Sequence, residues 1–128
     1  MKLFTVQEAN ELLPEVALKL KSIKRLYSTI GIYRESARAA AVASEFGGGM
    51  QGGSRYVQAL YEVGKITTEL HEAGVQLKDY SRGLIDFPSM KEGRIVLLCW
   101  QLGEDERIEW WHELEAGFAG RQRLFDDL

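Results

Sequence analysis

Cysteine, proline and long apolar segments are all scarce in this chain. The 128 residues include one cysteine and two prolines, so no intrachain disulfide can form and a zinc site built from several cysteines is excluded. The longest unbroken apolar run, Ile95 to Trp100, is far shorter than the roughly 20 residues of a membrane-spanning helix. The first residues show no signal-peptide pattern. We therefore expect a cytoplasmic protein that does not enter a membrane.

The sequence also lacks the motifs of several enzyme classes. The glycine-rich segment 47–53 has no Gly-Lys-Ser/Thr ending of a phosphate-binding loop, and His-Glu-x-x-His is absent. The sequence shows no Ser-His-Asp or Cys-His pattern that would indicate a nucleophilic catalytic site. Cys99 lies inside the apolar run, which predicts a buried, unreactive thiol. The sequence thus names no reaction, and whether the protein is an enzyme stays open.

Positive charge is too sparse for a typical nucleic-acid-binding surface. Residues 1–55 have a balance of +3 and residues 56–128 a balance of −6, which gives the net charge of −3. One basic stretch, 19–25, is a weak candidate for nucleic-acid contact, but its composition is that of a solvated helix face. Nucleic-acid binding is therefore not expected. The opposite charges would help two copies, or the two halves of one copy, to associate.

The composition fits one globular domain over residues 1–128. Hydrophobic residues make up 45% and charged residues 27% of the chain, which is close to the average of soluble domains. A chain of this length buries enough surface for one sizeable core.

A helix is predicted to start directly after Thr5. Thr5 and Glu8 have the spacing of a capping box, in which each side chain bonds the backbone amide of the other residue. Pro14 is predicted to interrupt this helix, because proline disfavours helical geometry in the residue before it. We therefore expect a short first helix at about 6–12 and a new helix that begins with Pro14.

Two long helices are predicted to fold back on each other. Apolar residues recur in alternating steps of four and three over about 14–45 and again over about 55–79. The glycine-rich segment 47–53 separates them and cannot hold a helix. The pattern predicts an antiparallel helical hairpin over about 14–79, with 47–53 as its connector.

The remainder of the chain has the pattern of strands. Strands are predicted at 83–87, where Pro88 ends the first, at 94–102 and at 107–113. The segment 107–115 also fits a helix, but its aromatic and β-branched residues favour a strand. The tail 114–128 is predicted to be irregular. The predicted fold class is therefore α+β, with a short N-terminal helix and a helical hairpin packed on a three-stranded antiparallel β-meander at about 83–113.

Regular hairpins would fix which residues face each other in this meander. A four-residue loop at 103–106 pairs Leu97 with His112. A turn after Pro88 places Asp86 opposite Ile95. With this register, the backbones of Asp86 and His112 would lie roughly 11–12 Å apart, which argues against their sharing one metal ion.

Several short motifs are similar to those of one protein family. They are Phe4-Thr5-Val-x-Glu8-Ala-Asn-x-Leu-Leu-Pro14, Leu77-Lys78-Asp79, Gly83-Leu-Ile-Asp-Phe-Pro88, Leu98-Cys-Trp100, Leu102-Gly-Glu104, Trp111-His112 and Gly117-Phe-Ala-Gly-Arg121. Together they touch both ends of the chain and resemble a bacterial family known as domain of unknown function 2203. The resemblance implies a small bacterial cytoplasmic protein and supplies no established activity. It marks as matching positions Asp86, Trp100, Glu104, His112 and Arg121.

These five residues are the candidate ligand-binding positions, and the four ionisable ones also have a structural alternative. His112 is either a hydrogen-bonded structural residue or a metal ligand or base. Asp86 and Glu104 are either a carboxylate pair for acid–base chemistry or partners of turns and arginines. Arg121 is either a clamp for an anion or a salt bridge that fixes the tail. No cofactor follows from the sequence, although imidazole and carboxylates suit zinc, manganese or iron.

Two functions remain in competition. A strand that is apolar on both faces, three tryptophans and a second apolar helix stripe indicate more apolar surface than this fold can cover, which favours a self-associating structural or interaction protein without catalysis. The alternative is a small metal- or anion-binding enzyme that uses Asp86, Glu104, His112 and Arg121.

Overall fold

The computed structural model of the protein describes residues 1–43 and 53–125. These residues form two α-helices, a five-stranded antiparallel sheet and one short 3₁₀ helix. In chain order the elements are α1 (Val6–Ala43), α2 (Gly53–Glu72), β1 (Gln76–Asp79), β2 (Leu84–Lys91), β3 (Arg94–Gln101), β4 (Trp110–His112), the 3₁₀ helix (Phe118–Gly120) and β5 (Gln122–Arg123). The strands lie in the order β1-β2-β3-β4-β5, so each strand pairs with its neighbours in sequence. The α+β class is confirmed, but the sheet has five described strands rather than the three predicted.

Helix α1 begins at the predicted capping box and does not stop at proline. The Glu8 amide donates to Thr5 Oγ1 at 3.0 Å, and the Thr5 amide donates to Glu8 Oε1 at 2.9 Å. Pro14 lies inside the 38-residue helix, so the predicted short first helix is wrong. A proline removes one helical hydrogen bond. Leu13 and Leu20, on either side of it, are fully buried, and this burial outweighs the lost bond.

The second helix is shorter than predicted. It ends at Glu72 because Gly74 adopts a φ of 90°, which favours glycine and ends a helix. The Gly74 amide donates to His71 O at 3.0 Å and the Val75 amide to Leu70 O at 2.9 Å, which satisfies two terminal carbonyls. The chain then forms β1, so the prediction of a helix up to residue 79 is wrong at its C-terminal end.

The two helices pack along each other in opposite directions. Lys19 of α1 pairs with Glu69 of α2, whereas Ile30 lies further along α1 in a cluster with Ala59 and Val63, which are earlier in α2. On α2, Ala59 faces α1 and is buried, whereas its neighbour Leu60 is 45% exposed. The predicted connector 47–53 lies outside the described residues except for Gly53, which begins α2.

Strand β2 continues through Pro88, where it was predicted to end. Proline lacks an amide proton and is tolerated where its backbone points to an open edge. Here the Phe4 amide donates to Pro88 O at 2.7 Å on the side away from β3, so the ladder with β3 needs no proton from Pro88. The strand reaches Lys91, and a two-residue turn of Glu92 and Gly93 follows, both with positive φ.

This turn moves the register of β2 against β3. Lys91 pairs with Arg94, so Asp86 lies opposite Cys99 and not opposite Ile95 as predicted. The next pairing is as predicted, since Leu97 lies opposite His112. The segment Trp110–His112 is a strand, which confirms the preferred interpretation of that ambiguous region. The tail is not irregular throughout, because it forms the 3₁₀ helix and β5 before residues 126–128, which lie outside the described part.

The sheet is covered on both faces. One face packs against the helices and carries Ile85, Phe87, Val96, Leu98, Trp100 and Trp111. The other carries the side chains that alternate with these, including Asp86, Cys99, Trp110 and His112. We call residues 113–125 the C-terminal strap. Its middle lies on this second face, where Arg121 stacks on Trp110 and Phe118 stacks on Arg121 and Arg82, whereas β5 lies beside β4 in the sheet. Residues 96–100 of β3 are buried within the chain, so this strand does not supply the exposed apolar surface that suggested self-association. No helix among residues 1–43 and 53–125 is long and apolar enough to cross a membrane.

Candidate functional site

Three polar side chains from three neighbouring strands meet beneath the C-terminal strap. Asp86 of β2, Cys99 of β3 and His112 of β4 are 2%, 0% and 2% exposed. One carboxylate oxygen, the sulfur and one ring nitrogen lie within 4.8 Å of one another. Asp86 and Cys99 are direct partners across β2 and β3, and His112 stands diagonally across β3 on the same face. The register set by the Glu92–Gly93 turn therefore creates this cluster.

The histidine in the cluster is fixed at both ring nitrogens. His112 Nδ1 lies 2.7 Å from the backbone oxygen of Glu113, and Nε2 lies 3.1 Å from Asp86 Oδ1. A carbonyl oxygen only accepts, so Nδ1 carries a proton and donates it. Nε2 is left to face the carboxylate. That separation needs a proton or a cation between the two atoms, because a lone pair and a carboxylate oxygen repel each other.

The surroundings of Cys99 strongly disfavour ionisation of its thiol. Burial, followed by the charge of Asp86, raises the pKa of the Cys99 thiol to about 12, and the nearby Arg121 guanidinium offsets only part of this rise. The thiol is therefore neutral at pH 7 and a poor nucleophile, in agreement with the sequence prediction. A metal ion that displaces the thiol proton would change this, because the thiolate is the form that binds metals.

Arg121 and Glu104 border the cluster as an ion pair. Arg121 Nη1 donates to Glu104 Oε1 at 3.0 Å and lies 2.9 Å from Oε2. Glu104 Oε1 also accepts from the Gln101 amide at 2.8 Å. The guanidinium lies over two aromatic rings, 4.7 Å from the centroid of Trp110 and 4.1 Å from that of Phe118. The arginine is thus held by charge and by stacking at the edge of the buried cluster.

Four of the five candidate positions lie in or beside this cluster. Asp86 and His112 are in hydrogen-bond contact, and Glu104 and Arg121 form the adjacent ion pair. Trp100 lies elsewhere, since its side chain is buried on the helix-facing side and its Nε1 donates to the Asp105 carbonyl at 2.8 Å. It packs in the hydrophobic core, away from the polar cluster.

The sequence analysis missed Cys99 as a member of the cluster. Its position in an apolar run suggested core packing alone, and the register that placed Asp86 opposite Ile95 kept the two residues apart. The signal that would have corrected this is the Glu92-Gly93 dipeptide, a two-residue hairpin turn between two strands of equal length.

Comparisons with known proteins give a family and no activity. No curated protein and no solved structure matches the chain. The model of a family described as "Uncharacterized conserved protein (DUF2203)" matches residues 2–124, which include every element and every cluster residue described above. The chain therefore belongs to the DUF2203 family.

Proposed function

We propose that this protein binds a divalent transition-metal ion through Asp86, Cys99 and His112. The three donors are a carboxylate oxygen, a thiolate sulfur and an imidazole nitrogen, which is a set that suits zinc and similar ions of intermediate softness. The proposal assigns binding and no reaction, since the three side chains are almost fully buried and a substrate has no open path to them. A single thiol ligand supports a reducing compartment such as the cytoplasm.

The observation that carries the proposal is the meeting of three different ligand atoms within 4.8 Å of one another. Two ligand atoms that share one tetrahedral zinc ion at its usual bond lengths lie about 3.3 Å apart. His112 Nε2 and Asp86 Oδ1 are 3.1 Å apart, a distance that fits a shared ion and equally fits a direct hydrogen bond, so the titration below separates the two. The bond from Nδ1 to the Glu113 carbonyl is the outer contact that fixes a ligating histidine with Nε2 toward its metal.

Charge balance supports the same function. A carboxylate and a thiolate buried side by side would repel each other, and burying either one without a counterion costs several kcal/mol, on the order of the penalty for a buried unpaired charge. The nearest cation, Arg121, is already paired with Glu104. A divalent cation would compensate the two anions and make the ionised thiol favourable. Without a metal, the alternative is a protonated His112 that pairs with Asp86.

Cobalt titration distinguishes these two states. Metal-stripped protein is titrated with Co²⁺, whose bond to a thiolate gives a characteristic charge-transfer absorption. We expect one ion per chain with this absorption. Cys99→Ser should abolish it, and Asp86→Asn should weaken binding by more than the roughly 10- to 100-fold that follows loss of an outer-shell partner.

The second histidine of the chain provides the matched control. His71 is exposed on α2, far in sequence from the cluster strands, and the chain has no other histidine besides His112. His112→Gln should weaken cobalt binding as strongly as Asp86→Asn, while His71→Gln should leave it unchanged. Absence of thiolate absorption, or equal losses in the two histidine variants, would refute the metal site.

Self-association is a second candidate, supported by a different surface from the one that the sequence suggested. Val57, Leu60 and Tyr61 follow one helical stripe on the outer face of α2 and are 63%, 45% and 66% exposed. A second copy with the same stripe is the occupant that we propose. Tyr61→Glu should dissociate the assembly, and light scattering of the wild-type protein measures its mass. A strict monomer at high micromolar concentration would exclude this role.

A further inference from the structure

The cluster of Asp86, Cys99 and His112 cannot exchange an ion with solvent in its closed form. The three side chains are at most 2% exposed, and the helices cover the opposite face of the sheet. On the cluster's own face of the sheet, the neighbouring segment is the middle of the C-terminal strap, where Arg121 lies beside the Cys99 thiol and over the ring of Trp110. A path for an ion therefore requires either the strap or the whole domain to open.

The strap has few backbone hydrogen bonds to the sheet. Within the described residues, its backbone joins the sheet through the two pairs of β4 and β5 and through the Leu124 amide, which donates to the Glu109 carbonyl at 2.8 Å. Before β5, the backbone bonds of the strap are local turns, from Ala116 to Glu113, Gly120 to Gly117 and Arg121 to Phe118. A segment held in this way opens at a lower free energy than the core strands.

Side chains hold the middle of the strap in place. Phe118 lies between two guanidinium groups, 4.3 Å from that of Arg82 and 4.1 Å from that of Arg121. Arg82 is held in turn by its bond to Gln101 Oε1 at 2.6 Å. The Arg121–Glu104 pair is only 13% and 26% exposed, so solvent screens it less than a surface pair. The middle of the strap is thus held beside the cluster by the Arg121–Glu104 ion pair and by the stacking of Arg121 on Phe118 and Trp110, while its first residue, Glu113, pairs with Arg94 of β3.

We propose that the C-terminal strap is the gate through which the metal ion reaches Asp86, Cys99 and His112, with the Arg121–Glu104 pair as its latch. This inference rests on the proposed metal site and adds its regulation. A gate changes the rate at which an ion binds and leaves by the same factor and leaves the affinity nearly constant. A ligand or charge effect changes the two rates unequally.

The single cysteine allows opening to be measured without any metal. Cys99 is fully buried, so a thiol reagent such as dithionitrobenzoate reacts only when the structure opens. Glu104→Gln removes the charge of the latch and keeps an oxygen to accept from the Gln101 amide. We expect labelling to become about tenfold faster, which corresponds to losing about 1.4 kcal/mol of a charged hydrogen bond. Phe118→Ala, which leaves both charges in place, should have a similar effect.

Two controls separate local opening from unfolding. Glu15→Gln removes a carboxylate that pairs with Lys19 on α1, far from the strap, and should leave labelling unchanged. Labelling through a local opening is nearly insensitive to low urea, whereas labelling through global unfolding rises with urea as the unfolding equilibrium does. A wild-type rate that follows the global equilibrium would overturn the gate.

Cobalt kinetics complete the test. Stopped-flow mixing with Co²⁺ gives the rate of binding, and excess chelator gives the rate of loss. In Glu104→Gln and Phe118→Ala we expect both rates to rise by the same factor as labelling. Cobalt absorption with unchanged rates in both variants refutes the gate alone. Absence of cobalt absorption in the wild type refutes the metal site and, with it, the route for the ion, whatever the labelling shows.

Discussion

Breaking the buried pair of Asp86 and His112 should destabilise the protein far more than replacing both residues. The two side chains are 2% exposed, and their atoms are 3.1 Å apart. His112→Leu leaves a buried carboxylate without its partner, a change that typically costs about 3–5 kcal/mol. Asp86→Val leaves the neutral imidazole with an unsatisfied nitrogen, at about 1–3 kcal/mol. The double variant replaces both groups by apolar ones and should lie within about 1 kcal/mol of wild type.

Urea unfolding followed by tryptophan fluorescence measures these differences. The chain has three tryptophans, two of them buried in the core, and chelator keeps the protein metal-free. For a domain of this size, the His112→Leu loss corresponds to a decrease in Tm on the order of 10 °C. With free zinc at about 100 times its Kd, the free energy of unfolding of the wild type should rise by about 2.7 kcal/mol, and that of the double variant should not change.

Two results would refute this reasoning. If His112→Leu lowers the free energy of unfolding by less than about 1 kcal/mol, no charged carboxylate depends on the histidine. Additive effects of the single changes in the double variant would mean that the pair does not interact across its short contact.

The remaining predictions concern the helices and the loop before β2. Gly64→Ala should stabilise the protein by about 1 kcal/mol in urea titrations, because a Cβ there meets nothing within 4 Å and alanine favours a helix interior; no gain would contradict this. Gly83→Ala should cost at least about 2 kcal/mol, because φ is +64° and a Cβ would lie 2.8 Å from the Leu102 side chain; a neutral effect would contradict the packing. Hydrogen bonds from Thr5 lower the pKa of Glu8 below its usual 4.5, so the capping stability is fully present above pH 4.5 and is lost as the pH falls through the lowered pKa. Acid titration monitored by circular dichroism should show this loss, and Glu8→Gln should flatten that part of the curve.

Local signals in the sequence predicted local structure well. The capping box of Thr5 and Glu8 depends on residues three apart, and the helix begins where those residues place it. Pro14 was misread because its cost is local, whereas the contacts that overcome it come from the sheet and from α2. Sequence spacing alone does not contain those contacts. The same limit applies to the end of α2, because Gly74 and the pairing of the next residues at the edge of the sheet together determine where the helix ends.

The site was predicted in part because its residues come from three different strands. The loop before β4 was interpreted with the right register, so His112 was placed correctly against Leu97. The turn before β3 was not, and that error moved Asp86 four residues along β3, away from Cys99. For a cysteine in an apolar strand, the neighbouring residues in the sequence do not indicate that its surroundings in the fold are polar. Its raised pKa and its neighbours became apparent only when the register was known.

The two-residue turn at Glu92 and Gly93 sets one strand register for both faces of the sheet, the apolar face under the helices and the face that carries the polar cluster. Side chains along a strand alternate between the faces of its sheet, so the alignment that puts Phe87 under the helices also puts Asp86 against Cys99. A chain with one more residue in that turn would have to bulge, or else give up one of these two contacts. The cluster near the other end of the strand therefore depends on this surface turn keeping its length of two residues.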